Sequence, residues 1–267
     1  MRYDLRAMVR RAKPGLRRKS ITLRDIAPPA TFASDLYASS YRPIVTVWRD
    51  RIPAIMAAYE QTLSTMTTDS PADVQREIEA GEGAFSRIFL ELTAGLRRWA
   101  LRVEQWERGK WRGAVLSATG VDVGTLIGAE DVRDTIENTI ARNVGLIKDV
   151  SQQAQGRITD AVFRGLNQRL PAREVAREIR QAVDMSQRRA MGIASHQLSD
   201  IANRLADERR REAGLDTWMW IHSAKKHPRA EHLARNGKEY TDETAPADRP
   251  GSLPFCGCRS RAVLVFD

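Results

Sequence analysis

Three of the four histidines and both cysteines of this 267-residue chain fall between Trp218 and Phe266. His227, His232, Cys256 and Cys258 together offer two imidazole nitrogens and two sulfurs, a Cys2His2 donor set of the kind that holds zinc in a tetrahedron. Their spacing is not that of a familiar finger. Only Gly257 separates the cysteines, where structural zinc sites place two to four residues. Two readings stand: a zinc centre, or two small buried cysteines with histidines that bond to backbone or solvent. A disulfide between Cys256 and Cys258 would close a very small, strained ring and ranks below both.

Catalysis at such a site needs an open metal position and a general base. Glu231 beside His232 is one candidate base. His222, His227 or His232 with Asp242 or Glu243 is another, and together these outline the alternative of a zinc-dependent nuclease or other DNA-binding metalloprotein. The chain has no HExxH, no paired carboxylates on one helix face and no Ser/His/Asp order, so it is expected not to be an enzyme. It also lacks a helix-turn-helix or finger spacing that would make it a DNA-binding regulator.

The elements that would position these residues read as a small α+β module over 215–267. It starts with the aromatic strand Trp218-Met219-Trp220-Ile221-His222 and has an Asn236-Gly237 turn. A Pro/Gly-rich loop runs to Pro254, and the β-branched run Ala262 to Phe266 closes the module. Upstream the pattern is helical. Leu36, Tyr41, Ile44, Val45, Trp48, Ile52, Ile55, Tyr59 and Leu63 recur at threes and fours, with Pro43 and Pro53 as interruptions. Asp69 and Ser70 read as a cap before Pro71, opening a helix through Val74, Ile78, Phe85, Leu92, Trp99 and Trp106; Gly81 and Gly83 weaken its start.

The span 113–128, with Gly113, Gly120, Gly124 and Gly128, reads as a hinge without a phosphate-loop order. Helices resume over 129–214, with one started by Pro171, another over Arg188 to Arg211, and Gly214 as a stop. The expected fold is mainly α, an elongated multi-helix body with the small α+β module at its C-terminal end. Its regions are a basic N-terminal arm (1–29), an N-terminal helical region (30–112), the hinge, a helical core region (129–214) and the module.

Charge is placed unevenly. Residues 1 to 24 hold nine basic residues against one acid, a balance of +8 out of the chain's +9. Arg2, Arg6, Arg10, Arg11, Lys13, Arg17, Arg18 and Lys19 would bind double-stranded DNA through counterion release, without sequence preference. A membrane surface, an acidic protein groove and a merely solubilising tail remain open for the same segment. Deleting it is expected to leave the helical content intact. No apolar run approaches the roughly eighteen residues of a membrane span, the N-terminus has no signal-peptide core, and the cysteine usage suits a reducing compartment.

The residues also carry a family resemblance. Asn143-Val144-Gly145-Leu146-Ile147-Lys148 is followed by Arg188-Arg189-Ala190-Met191-Gly192-Ile193-Ala194-Ser195-His196-Gln197. Gly214, Trp220, Arg229-Ala230-Glu231-His232, Asn236-Gly237, Pro250-Gly251 and Cys256-Gly257-Cys258-Arg259 come next in order. This succession resembles the phage Mu F-like minor head proteins, also called the phage head morphogenesis family, over about residues 120 to 266. Asn143, Ile193, Ala194, Gln197, Trp220, Arg229, His232, Gly237, Pro250, Gly251, Cys256, Cys258 and Arg259 match its motifs. Ser195 and His196 depart from the arginine and acid commoner there, and the aspartate usual after the tryptophan strand is missing, with Lys225 and Lys226 nearby.

The resemblance implies a minor capsid or head morphogenesis protein of a tailed phage or prophage, associated with the portal during procapsid assembly and with DNA packaging or ejection. The implied partners are the portal protein and a major capsid or scaffolding protein. The implied location is the procapsid or virion, in the host cytoplasm during assembly, and no cofactor is required.

Overall fold

A computed structural model describes residues 2–65 and 71–266; the cap assigned to Asp69 and Ser70 lies outside the described residues. The chain is 67% helical, with seven α-helices and one four-stranded antiparallel sheet among the described residues, as the sequence pattern predicts. The helices are α1 (Leu5–Ala12), α2 (Thr31–Leu36), α3 (Arg42–Thr65), α4 (Pro71–Thr119), α5 (Arg133–Gln168), α6 (Ala172–Glu212) and α7 (Ala230–Ala234). The strands are β1 (Ser20–Thr22), β2 (Thr217–Ile221), β3 (Glu239–Tyr240) and β4 (Arg259–Val265), in the order β1-β4-β2-β3.

Two compact units result, and they do not follow the linear regions read from the sequence. The first gathers residues 1–32, 97–139 and 195–267; the second gathers 33–96 and 140–194. The division passes inside α4, α5 and α6, because each is long enough to contribute one stretch to each core.

The second unit is built by helical periodicity. Ile44, Trp48, Ile55 and Tyr59 of α3 are buried, as are Ile147, Val150, Ile158 and Val162 of α5 and Val175, Ile179 and Val183 of α6. Tyr41 donates to the side-chain oxygen of Asn143 at 3.0 Å, and Trp48 Nε1 donates to Ser151 at 3.3 Å, so the polar tips of the large aromatics are satisfied inside the core. Pro43 has no N–H for an ordinary turn, and the chain before it widens into a π-helical stretch, Tyr37–Tyr41, with Arg42 N–H reaching Tyr37. Pro53 sits within α3 without ending it.

Gly81 does not break α4. A Cβ there would stand 3.0 Å from the Trp48 indole, so glycine lets the ring pack against the helix backbone.

Several breaks expected from the sequence are absent. α6 is one helix from Ala172 to Glu212, where two were expected; no proline or glycine interrupts 184–188, and the Ser186 hydroxyl bonds back to Ala182 within the helix. Gly113 lies inside α4, which ends at Thr119, so only the rest of 113–128 is loop. Gly120 ends α4, with φ of 78° and its N–H on Leu116.

Gly214 does stop α6. Its N–H reaches Arg211 and the Leu215 N–H reaches Arg210, with φ of 68° at the glycine, the paired bonds of a Schellman end.

The basic segment is part of the first unit. Asp4 caps α1 through the Ala7 N–H at 2.9 Å, and Tyr3, Leu5, Val9, Ile21 and Leu23 join Trp111, Val115, Val123, Leu215 and Leu264 in one core. β1 pairs with β4 in the register Ser20 with Val265, Ile21 with Leu264 and Thr22 with Val263. The apolar residues interleaved with the arginines draw the segment inward, since leaving them in water would forfeit their burial energy. Its deletion would therefore remove α1, core residues and an edge strand, contrary to the expectation of intact helical content.

Behind this core lies a buried ionic frame. Arg209 of α6, fully buried, bonds Glu104 at 2.7 Å, Glu212 at 2.9 Å and the Gly128 carbonyl at 2.9 Å, and lies 3.8 Å from both Glu107 and Asp131. Arg2 pairs with Asp131 from the other side. Glu107 has no hydrogen-bond partner for either carboxylate oxygen, and burial pushes its pKa up to about 8.

Candidate metal centre

The module that carries the histidines and cysteines is framed by β2. Trp218 and Trp220 point to one face of the strand, as the period of two dictates, and both are fully buried with Cys256 and Cys258 in a small separate core. Tyr240 of β3 covers Trp218 at 5.2 Å between ring centroids. The Asn236-Gly237 turn is not the loop of a simple hairpin. It follows α7, with Gly237 at φ of 77°, and its N–H returns to the Trp220 carbonyl at 2.8 Å while Asn236 accepts from the His222 N–H.

α7 presents His232 to this core. Its ring packs edge-on against Trp220 at 5.1 Å, and its Nδ1 lies 3.5 Å from Cys256 Sγ and 3.6 Å from Cys258 Sγ. Nε2 lies 3.0 Å from Asp248 Oδ2, and the other oxygen of Asp248 accepts from Arg235 at 2.7 Å. Burial raises the Asp248 pKa, but the bonds from Arg235 and His232 outweigh it and hold the carboxyl below its usual range.

The cysteines are free thiols held in a loop that β4 continues. Asn203 of α6 fixes this loop by donating to the Cys258 carbonyl at 3.0 Å and accepting from the Ser260 N–H at 3.2 Å. Gly251, at φ of 79°, passes so close to Asn203 that a Cβ would stand 2.5 Å from its amide nitrogen. Arg259 anchors the strand by a two-pronged bond to Asp25, at 2.6 Å for Nη2 to Oδ2. A hydrogen bond from Cys258 draws the Cys256 thiol well below its usual value, helped by the N–H groups of Cys258 and Gly251, and the same bond raises Cys258.

Of the four metal donors read from the sequence, the structure brings together three. His232, Cys256 and Cys258 are all buried, with donor atoms within 4.8 Å of one another. His227 is exposed in the segment before α7 and is not among them; the polar run after β2, turned at Ala224 with φ of 53°, carries it away from the buried cluster. Glu231 is exposed. Asp242 is bonded by Arg210 at 2.9 Å and Arg249 at 3.2 Å, a structural pairing, and it is not in the buried cluster.

Asp248 carries no signal in the sequence, because a lone aspartate in a loop has no diagnostic spacing. Arg229, whose motif position the sequence does mark, donates to the Pro254 carbonyl at 3.0 Å, and Gln197 is buried in α6. Asn143, Ile193 and Ala194 belong to the second unit and not to the module.

The geometry defines a helical protein whose C-terminal module is closed by a Trp, His and Cys cluster. A family model described as Phage Mu protein F like protein matches residues 152–261, which include every residue of that cluster. The Mu F-like resemblance is shown over this stretch; Asn143 and the beginning of the span read from sequence fall outside it.

The chain is also similar to a Haemophilus influenzae protein described only as uncharacterized, with 27% identity over 149 residues, or 55% of this chain and 33% of that protein. It thus spans about a third of that relative's length. No solved structure matches it, and no described helix is long and apolar enough to cross a membrane.

Proposed function

We propose that this chain acts in phage head morphogenesis as a minor capsid protein, joining the portal and a capsid or scaffolding protein during procapsid assembly. The observation that carries the reading is the family match over 152–261, which encloses α6, β2, β3, the start of β4 and every residue of the His/Cys cluster. The role asks for docking surfaces more than for a reacting centre, and the carboxylates Asp242 and Asp248 are engaged in ion pairs with arginine.

Binding to packaged DNA would come from the exposed cations Arg11, Lys13, Arg17, Arg18 and Lys19. Arg2, Arg6 and Arg10 are already engaged and would add less.

The test is an assembly reaction with a tagged full-length chain. Procapsids containing portal should carry the protein, and heads without it at every stage would end the proposal. Replacing the five exposed cations by Gln should reduce duplex-DNA affinity and flatten its salt dependence, whose slope falls by about 0.9 for each phosphate that is no longer neutralised. An unchanged salt slope would assign those charges to solubility alone.

A further inference from the structure

We propose that His232 Nδ1, Cys256 Sγ and Cys258 Sγ form a zinc site with three protein ligands, its fourth position taken by a solvent molecule. The first argument is metric. Zn–S bonds of about 2.3 Å and a Zn–N bond of about 2.0–2.1 Å at the tetrahedral angle require S···N separations of about 3.5 Å. The two S···N separations are 3.5 and 3.6 Å.

The second argument is orientation. Asp248 sits on His232 Nε2, which fixes the tautomer with the proton at Nε2 and leaves the Nδ1 lone pair facing both sulfurs. This is the carboxylate–histidine arrangement that supports metal-bound imidazoles, and Arg235 holds the carboxylate in turn.

The third argument is need. Residues 241–258 link β3 to β4 without helix or strand, and the core they cover consists of Trp218, Trp220 and the two cysteines. A core that small needs a staple. Ligands from α7 and from the loop would tie these segments together, so that metal binding becomes folding energy for the module. Two thiolates and one imidazole in a tetrahedral cage select zinc over harder cations.

The full-length chain, stripped of metal under reducing conditions, is titrated with Co(II) and then Zn(II). About one cobalt per chain should bind, with thiolate charge-transfer absorption and intense visible bands of a tetrahedral ion, and zinc should displace it. His227→Ala should bind as the parent does. Asp248→Asn should bind roughly 10- to 100-fold more weakly, and Cys256→Ser should lose about half of the charge-transfer intensity or all binding.

Absence of cobalt absorption in the unaltered chain would overturn the proposal without reference to any variant. So would a His227→Ala chain as impaired as His232→Ala, which would mean a different four-ligand site. Either failure would leave the assembly role standing, because procapsid association is read in a separate experiment.

Discussion

The two units solve the problem of holding distant segments together by different physics. In 33–96 and 140–194 the work is done by many interchangeable apolar contacts along helices, with a few hydroxyl and indole bonds such as Tyr41 to Asn143. In the other unit, segments from the beginning, middle and end of the chain meet around a few polar groups without substitutes. These are Arg209 with its carboxylates, Asp25 with Arg259, Asn203 with the cysteine loop, and Asp248 with His232. Apolar burial is non-directional and can be redistributed among neighbours, whereas a buried charge that loses its partner keeps its full desolvation cost. Single substitutions should therefore have larger and more condition-dependent effects in the first unit.

The largest effect is expected at Arg209. Arg209→Met leaves Glu104, Glu107 and Asp131 buried without their shared cation, a loss of about 3–5 kcal/mol in denaturant unfolding. The loss should shrink at acid pH, where those carboxyls can take protons. A cost under about 1 kcal/mol would mean that the frame is no more irreplaceable than a surface pair, and the contrast between the units would fail.

Glu107 gives the next effect, and its sign is set by linkage. Its folded pKa of about 8 lies above the ordinary carboxyl value, so between the two the folded state binds more protons than the unfolded state. Stability contributed by this group is present below about pH 4.5, falls as pH rises toward about 8, and levels off above that. Glu107→Gln, neutral at every pH, should remove this slope and stabilise the protein at pH 8 by up to a few kcal/mol. The measurement is thermal or denaturant unfolding of both chains from pH 5 to 9; parallel profiles would show that Glu107 is not a buried proton carrier.

The same contrast explains what could be read from the sequence. The helices of the second unit follow from local spacing, because Ile44, Trp48, Ile55 and Tyr59 mark one face wherever the helix is placed. The α+β character of the C-terminal module was legible in Trp218 to His222 and in Val263 to Phe266, and the Schellman end in Gly214. Three members of the His/Cys cluster were legible by residue type.

What was not legible is whatever depends on long-range pairing. The basic segment looks like an arm because its charges dominate the composition, and only the partner strand β4 reveals Ile21 and Leu23 as sheet and core residues. His227 and His232 are equivalent in type and close in sequence; α7 and Trp220 decide between them. Gly81 and Gly113 look like breaks because propensity counts against them, while helix continuity is set by what packs alongside.

The smallest effect tests the second unit on its own terms. Tyr41→Phe keeps the ring that fills the core and removes one hydrogen bond, 3.0 Å long, to Asn143. A neutral bond of this kind contributes about 1 kcal/mol net, and Asn143 has a further interaction besides this one. Burial holds the Tyr41 hydroxyl well above its usual pKa, so it stays protonated across the working range and the loss should not vary between pH 5 and 9. A pH-independent decrease of about that size would set a redundant apolar unit beside the pH-sensitive ionic one. A loss of about 3 kcal/mol or more, comparable to that of a broken buried ion pair, would show instead that the second unit also hangs on single polar contacts.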